Sequence, residues 1–160
     1  MEPSELRRML GHFATGVTVV TAMHEGRPHG LTVNAFSSLS LEPPQVLVCL
    51  KRENRSYAAF AASGHFAVNI LAEGQLELSR LFASQQEQKF DGLRFAPGPA
   101  TGAPLLDGTH AWLECSVIER IETAGTHAIV IGRLLGHGSG VAAPLLFHRG
   151  GYHRLGERIS

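Results

Sequence analysis

The chain has 160 residues, 44% of them hydrophobic and 18% charged, and its 14 basic and 14 acidic side chains leave no net charge with histidine neutral. That length fits one domain, residues 1–160, with a true core, and the composition is neither disordered nor fibrous. No basic run or stripe is present, which excludes the electrostatic footprint of a nucleic-acid binder.

The first ten residues are charged rather than signal-like, and no uninterrupted apolar run approaches ~20 residues. No membrane span is therefore expected, and a cytoplasmic location follows. Cys49 and Cys115 each sit inside an apolar, strand-like run, where a free thiol behaves as a small buried hydrophobe. Neither a disulfide framework nor zinc-ligand spacing is present. The nine histidines are scattered, so no metal site is expected.

In chain order, Ser4 is placed to cap a helix running to about Phe13, with Leu6, Met9, Leu10 and Phe13 on one apolar face. The β-branched run Thr15 to Met23 reads as a strand. Glu25-Gly26-Arg27-Pro28 is turn chemistry, so the next strand, Gly30 to Phe36, should return antiparallel. Leu41-Glu42-Pro43-Pro44 breaks regular structure, and Val46 to Leu50 reads as a strand covered on both faces. A helix from about Ser56 to Ala62 follows, capped by Asn54 or Ser56 and closed by Gly64. His65 to Leu71 is a further strand and Gly74 to Phe82 a short helix. Ser84 to Phe95 reads as a polar cover or linker, and Pro97 to Pro104 as an irregular connection. Two long strands, Ala111 to Glu122 and His127 to Gly136, are joined by a turn at Thr123 to Thr126. Gly138-Ser139-Gly140 reads as a flexible turn. Leu145 to His148 and Tyr152 to Leu155 straddle Gly150-Gly151. About seven strands with hairpin-like turns and only two or three short helices predict a mainly β fold, a closed or half-closed barrel.

Two stretches carry candidate chemistry. His29 to Ser40, HGLTVNAFSSLS, places small hydroxyls and an amide among alternating apolar residues. Gly30 and Ala35 leave room for a flat polar ligand to approach; the alternative is an edge strand with a solvated Thr/Ser face. Lys51 to Ser56 joins a strand end to a helix with cations nearby, which suits a phosphate; the alternative is a solvated charged loop. No GxSxG elbow, accessible cysteine nucleophile, paired carboxylates or GxGxxG nucleotide motif is present. The hard chemistry is therefore left to a cofactor that the protein binds and orients.

Taken together, TGVTVVTA (Thr15 to Ala22), HGLTVNAFSSLSLEPPQVLVCL (His29 to Leu50), Asn54-Arg55-Ser56, HFAVNIL (His65 to Leu71), Lys89-Phe90, Leu113 to Cys115, Gly125-Thr126-His127 and Pro144 to Tyr152 resemble, in order and over nearly the whole chain, the short-chain flavin reductases. These are reductase components of two-component flavin-dependent monooxygenases, with the FMN-binding split-barrel fold. The resemblance implies a homodimer that transfers hydride from NADH or NADPH to FMN or FAD and supplies reduced flavin to a partner monooxygenase. It implies that Thr32, Val33, Asn34 and Ala35 lie along the flavin ring and that Ser37 and Ser38 turn toward the ribityl phosphate. Leu50, Lys51 and Ser56 would complete the phosphate and dimethylbenzene side, with Lys89 and Phe90 at the phosphate end. His127 would be the catalytic residue bordering the nicotinamide, and Gly151 and Tyr152 would shape the same pocket. The acidic residue that often precedes this histidine in the family is Thr126 here. For Lys89 the competing role is a solvent-exposed lid charge, and for Tyr152 barrel packing. Competing functions are a split-barrel oxidase of the pyridoxamine-phosphate-oxidase type, a non-catalytic flavin or haem carrier, and a structural dimer with a vestigial pocket.

Overall fold

A computed structural model describes all 160 residues. Its first helix, α1 (Pro3–Leu10), begins with proline at the first helical position after Glu2, with no side-chain cap. Ser4 is thus inside the first turn rather than at the cap, because proline has no N–H for a cap to satisfy. The helix buries none of its residues.

The β-branched run divides into β1 (Thr15–Gly16) and β2 (Thr18–His24), and Val17, where the chain crosses between sheets, accepts a bond from Leu71 N. The turn at Glu25-Gly26 leads into β3 (Arg27–Val33), paired with β2 from Thr18↔Val33 to His24↔Arg27. β3 stops at Val33. Asn34-Ala35 forms a break, and β4 (Phe36–Leu41) starts a separate hairpin with β5 (Pro44–Lys51) around a cis Glu42–Pro43 peptide. The prolines therefore tighten a hairpin instead of ending the sheet. α2 (Tyr57–Ser63) closes at Gly64, and β6 (His65–Ile70) and α3 (Leu76–Ala83) follow.

The connection expected to be irregular holds a small hairpin, β7 (Phe95–Pro97) with β8 (Pro104–Leu106). β9 (Ala111–Glu122) and β10 (His127–Ser139) form the longest pair. β10 runs past the expected end because Gly138 and Ser139 pair with Trp112 and Ala111, so the Gly-Ser-Gly segment is largely strand. β11 (Leu145–His148) and β12 (Gly151–Arg154) join β1 in a three-stranded sheet.

The main sheet has seven strands in the order β3-β2-β6-β9-β10-β5-β4, each pair antiparallel. It is rolled. Val20, Ala22, Leu31 and Val33 from one end share a core with Val46, Val48 and Leu50 from the other, around Phe66, Val68, Cys115 and Val130. This is the half-closed barrel that the strand pattern predicts. A second cluster, built on Val17, Val19, Leu71, Phe82, Leu106 and Leu145, seals the side under α3 and the small sheet. The buried Asn69 fixes the β7–β8 hairpin on the barrel: its amide donates to Pro104 O and Val19 O, and its Oδ1 accepts Leu106 N. Satisfying the whole amide turns a costly buried polar group into a specific clamp.

Candidate active site

Two cavities flank β3. The larger, about 820 Å³, is lined chiefly by apolar groups of Leu10, Phe13, Ala14, Ala35, Phe36, Leu47, Cys49 and Ile70, with Thr15, Gly16, Thr18, Asn34 and Ser37 as its polar rim. The break at Asn34-Ala35 makes this rim. Phe36 N bonds back to Asn34 O and Cys49 N bonds to Ala35 O, so both residues bulge from the sheet with their side chains exposed. β5 is not covered on both faces. Its burial alternates, and Leu47 and Cys49 face the cavity while Val48 and Leu50 enter the core. Cys49 is thus half-buried at a ligand wall, unlike the sealed Cys115, whose thiol burial pushes up to about 12. Burial also raises the Cys49 thiol, which keeps it a neutral wall rather than a nucleophile.

The smaller cavity, about 260 Å³, is polar. Arg27, Pro28, His29 and Gly30 of β3 form one side, Asn54, Arg55 and Ser56 a second, and Ser84 to Glu87 with Lys89 and Phe90 the third. Lys89 is only 8% exposed, and its ammonium donates to Phe82 O at 3.0 Å. Burial lowers its pKa. Its single protein hydrogen bond uses one of the three donors an ammonium carries, which leaves charge and donors for an anion. Asn54 Oδ1 accepts Ser56 N at 2.8 Å, and Ser56 makes no capping bond to α2. Gly30 is required here by close approach: a Cβ would lie 2.6 Å from the Phe82 ring and 3.2 Å from that of Phe90. Those rings stack edge to face with centroids 5.0 Å apart. The turn carrying Lys89 is thereby packed directly against β3.

Gly30 and Asn34 are four residues apart on one extended segment, roughly 13 Å. The polar cavity at Arg27 to Gly30 and the apolar cavity at Asn34 are thus built from one short segment, at a spacing that suits a ligand with a flat ring at one end and an anion at the other.

A family model described as a flavin reductase like domain matches residues 10–156. The chain belongs to the flavin reductase-like family. It is 43% identical over 152 residues to the "Probable flavin reductase" of Rhizobium meliloti, covering 94% of this chain and 48% of that protein. It is 39% identical over 155 residues to HsaB, the reductase subunit of a flavin-dependent monooxygenase in Mycobacterium tuberculosis, covering 95% of this chain and 82% of that one. The chain thus spans about half the length of the Rhizobium relative and most of the Mycobacterium one. Among solved structures, the NADH:FAD oxidoreductase of Streptomyces globisporus in complex with NAD and FAD fragments superposes with a TM-score of 0.93 at 35% identity, over 99% of this chain and 96% of that one.

Within this flavin reductase-like fold the residues expected at the site fall into distinct groups. Asn34, Ala35 and Ser37 line the apolar cavity, and Ser56, Lys89 and Phe90 line the polar one. Ser38 is exposed one position beyond Ser37. Thr32 donates to Ser79 O, while Val33 and Leu50 point into the core. Their side chains are committed to the protein, which leaves them backbone groups to offer. Lys51 is ion-paired with Glu53 and lines neither cavity.

His127 is opposite Lys51, and Ile129 opposite Cys49, in the β5–β10 register. Facing residues share a side of the sheet, so His127 lies on the cavity face, about 7 Å beyond Cys49. Its Nδ1 is 2.8 Å from Thr126 Oγ1, so the residue in place of an acid holds the ring. Tyr152 packs edge to face on Phe147, and its hydroxyl is 2.8 Å from Ser79 Oγ. Tyr152 and Gly151 sit in the small sheet, and neither lines a cavity. Arg27 in the polar cavity and Phe13 in the apolar one carried no site role in the sequence, while His29, Thr15, Thr18 and Cys49 lay inside stretches of interest without a role of their own. The register that brings them together is long-range, and only the cationic character of the Arg55 segment was visible locally.

Proposed function

We propose that this protein is an NAD(P)H:flavin oxidoreductase that passes a hydride from NADH or NADPH to FMN or FAD and delivers the reduced flavin to a partner monooxygenase. The observation that carries this is the pairing of an apolar, amide-rimmed cavity with a cationic one at the two ends of β3. The names of the Mycobacterium and Streptomyces relatives support the same reaction and partner class.

Bound flavin supplies the two-electron acceptor and the nicotinamide the hydride; the chain binds, orients and shields. Asn34 and the exposed backbone around Ala35 offer hydrogen bonds to the polar edge of the ring. Leu10, Phe13 and Ile70 exclude water beside it. Lys89, Arg27 and Ser56 bind the phosphate end. His127, steadied by Thr126, borders the nicotinamide on the open face and positions it rather than supplying a proton.

The protein acts as a homodimer in the cytoplasm. Supporting this, α1 exposes Leu6, Met9 and Leu10, Phe13 just beyond it is exposed as well, and the edge strand β4 exposes Leu39 and Leu41, an apolar surface that a second copy would cover. The two free thiols suit a reducing compartment.

The test is oxidation of NADH and NADPH with riboflavin, FMN and FAD in turn. Turnover that requires added flavin supports the reaction, and no nicotinamide oxidation with any of them refutes it. Asn34→Ala raises the flavin KM about fivefold, the value of one hydrogen bond; an unchanged KM removes Asn34 from the ring edge.

A further inference from the structure

The polar cavity carries three basic side chains, Arg27, Arg55 and Lys89, and a single carboxylate, Glu87. Lys89 bonds only a carbonyl. Arg55 alone among the three is already answered: its Nη1 is ion-paired with Glu87 Oε1. The pair joins opposite rims, since Arg55 precedes α2 and Glu87 follows α3. Both side chains are largely in water, at 67% and 77% exposure, so the contact is weak enough to exchange. A phosphate monoester carries up to two negative charges and three acceptor oxygens and is a stronger partner for a guanidinium than one carboxylate.

We propose that Glu87 is a built-in competitor for the flavin phosphate: an arriving phosphate takes Arg55 from Glu87, and its departure returns Arg55 to Glu87. This rests on the flavin reading above and names the residue that sets affinity at its anionic end. The exchange lowers the net gain on binding and spares the guanidinium from being left bare on release. Both effects favour a flavin that must leave for a second enzyme. Glu87 lines the polar cavity and not the ring cavity, so it acts on phosphate-bearing flavins and not on the ring.

The experiment compares riboflavin, which has no phosphate, with FMN by quenching of flavin fluorescence in the intact chain. Wild type, Glu87→Gln, Arg55→Gln and the double variant are each titrated at low and high salt. Glu87→Gln tightens FMN binding roughly two- to fivefold at low salt, the range of an exposed ion pair, and less at high salt. It leaves riboflavin unchanged. In the Arg55→Gln background most of that gain disappears. Unchanged or weaker FMN binding by Glu87→Gln, an equal gain for riboflavin, or a gain that survives without Arg55 overturns the exchange alone, provided wild type prefers FMN. Wild type that binds riboflavin as tightly as FMN overturns the phosphate placement and the exchange together. Wild type that binds neither of these, nor FAD, overturns the flavin reading as well.

Discussion

Gly30→Ala tests whether β3 and the Phe82–Phe90 stack form one rigid wall beside the polar cavity. The added Cβ would sit 2.6 and 2.8 Å from two carbons of the Phe82 ring and 3.2 Å from Phe90, against a comfortable separation of about 3.5 Å. Phe82 is fully buried and packed on Phe90, which is itself packed on Phe95 at 5.3 Å. The ring must therefore push a stack of three, and Lys89 is hydrogen-bonded to the Phe82 carbonyl. Overpacking of this kind costs about 1–3 kcal/mol. Loss of unfolded-chain freedom on replacing glycine returns about 0.4–1 kcal/mol, which leaves a net loss centred on about 1.3 kcal/mol and at most about 2.6 kcal/mol. For a chain of this length the central value corresponds to roughly 3–5 °C in Tm. Urea titration and thermal melts measure it. Phe82→Leu in the same chain should cost less than the sum of the two single changes, because it makes the room that the methyl lacks. A Gly30→Ala chain with unchanged or raised Tm, or strict additivity with Phe82→Leu, would falsify the wall.

His127→Ala lowers kcat about tenfold, near 1.4 kcal/mol of barrier, while flavin affinity stays close to wild type; equal kcat makes His127 a hairpin residue only. Glu114 is buried, and its carboxylate accepts Thr101 Oγ1 at 2.7 Å, Thr101 N at 2.8 Å and Ala100 N at 3.2 Å. Glu114→Gln keeps those three bonds at Oε1 but sets its amide N–H₂ against Ala100 N, 3.3 Å from the Oε2 position, and costs about 1 kcal/mol; faster hydrogen exchange at Ala100 than at Thr101 locates the loss, and unaltered urea midpoints would contradict it. Burial first, then the charges of His24 and Arg27, lower the His29 pKa. The folded chain thus binds fewer protons here than the unfolded one, so wild-type stability falls as pH drops through the range below about 6.5. The Tm of His29→Gln relative to wild type should rise from pH ~7.5 to ~5, and a constant difference would show that His29 titrates alike in both states.

Much of the barrel is written in local signals. The Val-rich run after Gly16, the turn at Glu25-Gly26 and the two long strands around Thr123 to Thr126 are each set by residues adjacent in sequence. The misplaced features all depend on partners far away. Asn34-Ala35 alternates like its neighbours and gives no local sign of a break; β4 leaves β3 there because it pairs with β5. Gly138 reads as a turn until Trp112 is placed across from it. A Cβ at Gly138 would lie 2.6 Å from that indole, so the glycine serves a cross-strand contact. Cys49 looks buried in VLVCL because only the roll of the sheet decides which face of β5 is open. At the candidate site, small residues such as Asn34 and Ser56 were legible as donors. Arg27 was not, because its place beside Lys89 comes from the tertiary fold.

The short sheet that joins Thr15-Gly16 to Leu146-Phe147, and Phe147 in turn to Tyr152, makes the beginning of the chain depend on its last strand. Cleavage ahead of β12 would remove no residue from either cavity, yet it would unfasten the segment that holds Phe13 and Thr15 in position. A trimmed protein should still grip a sugar phosphate while losing discrimination among planar heterocycles.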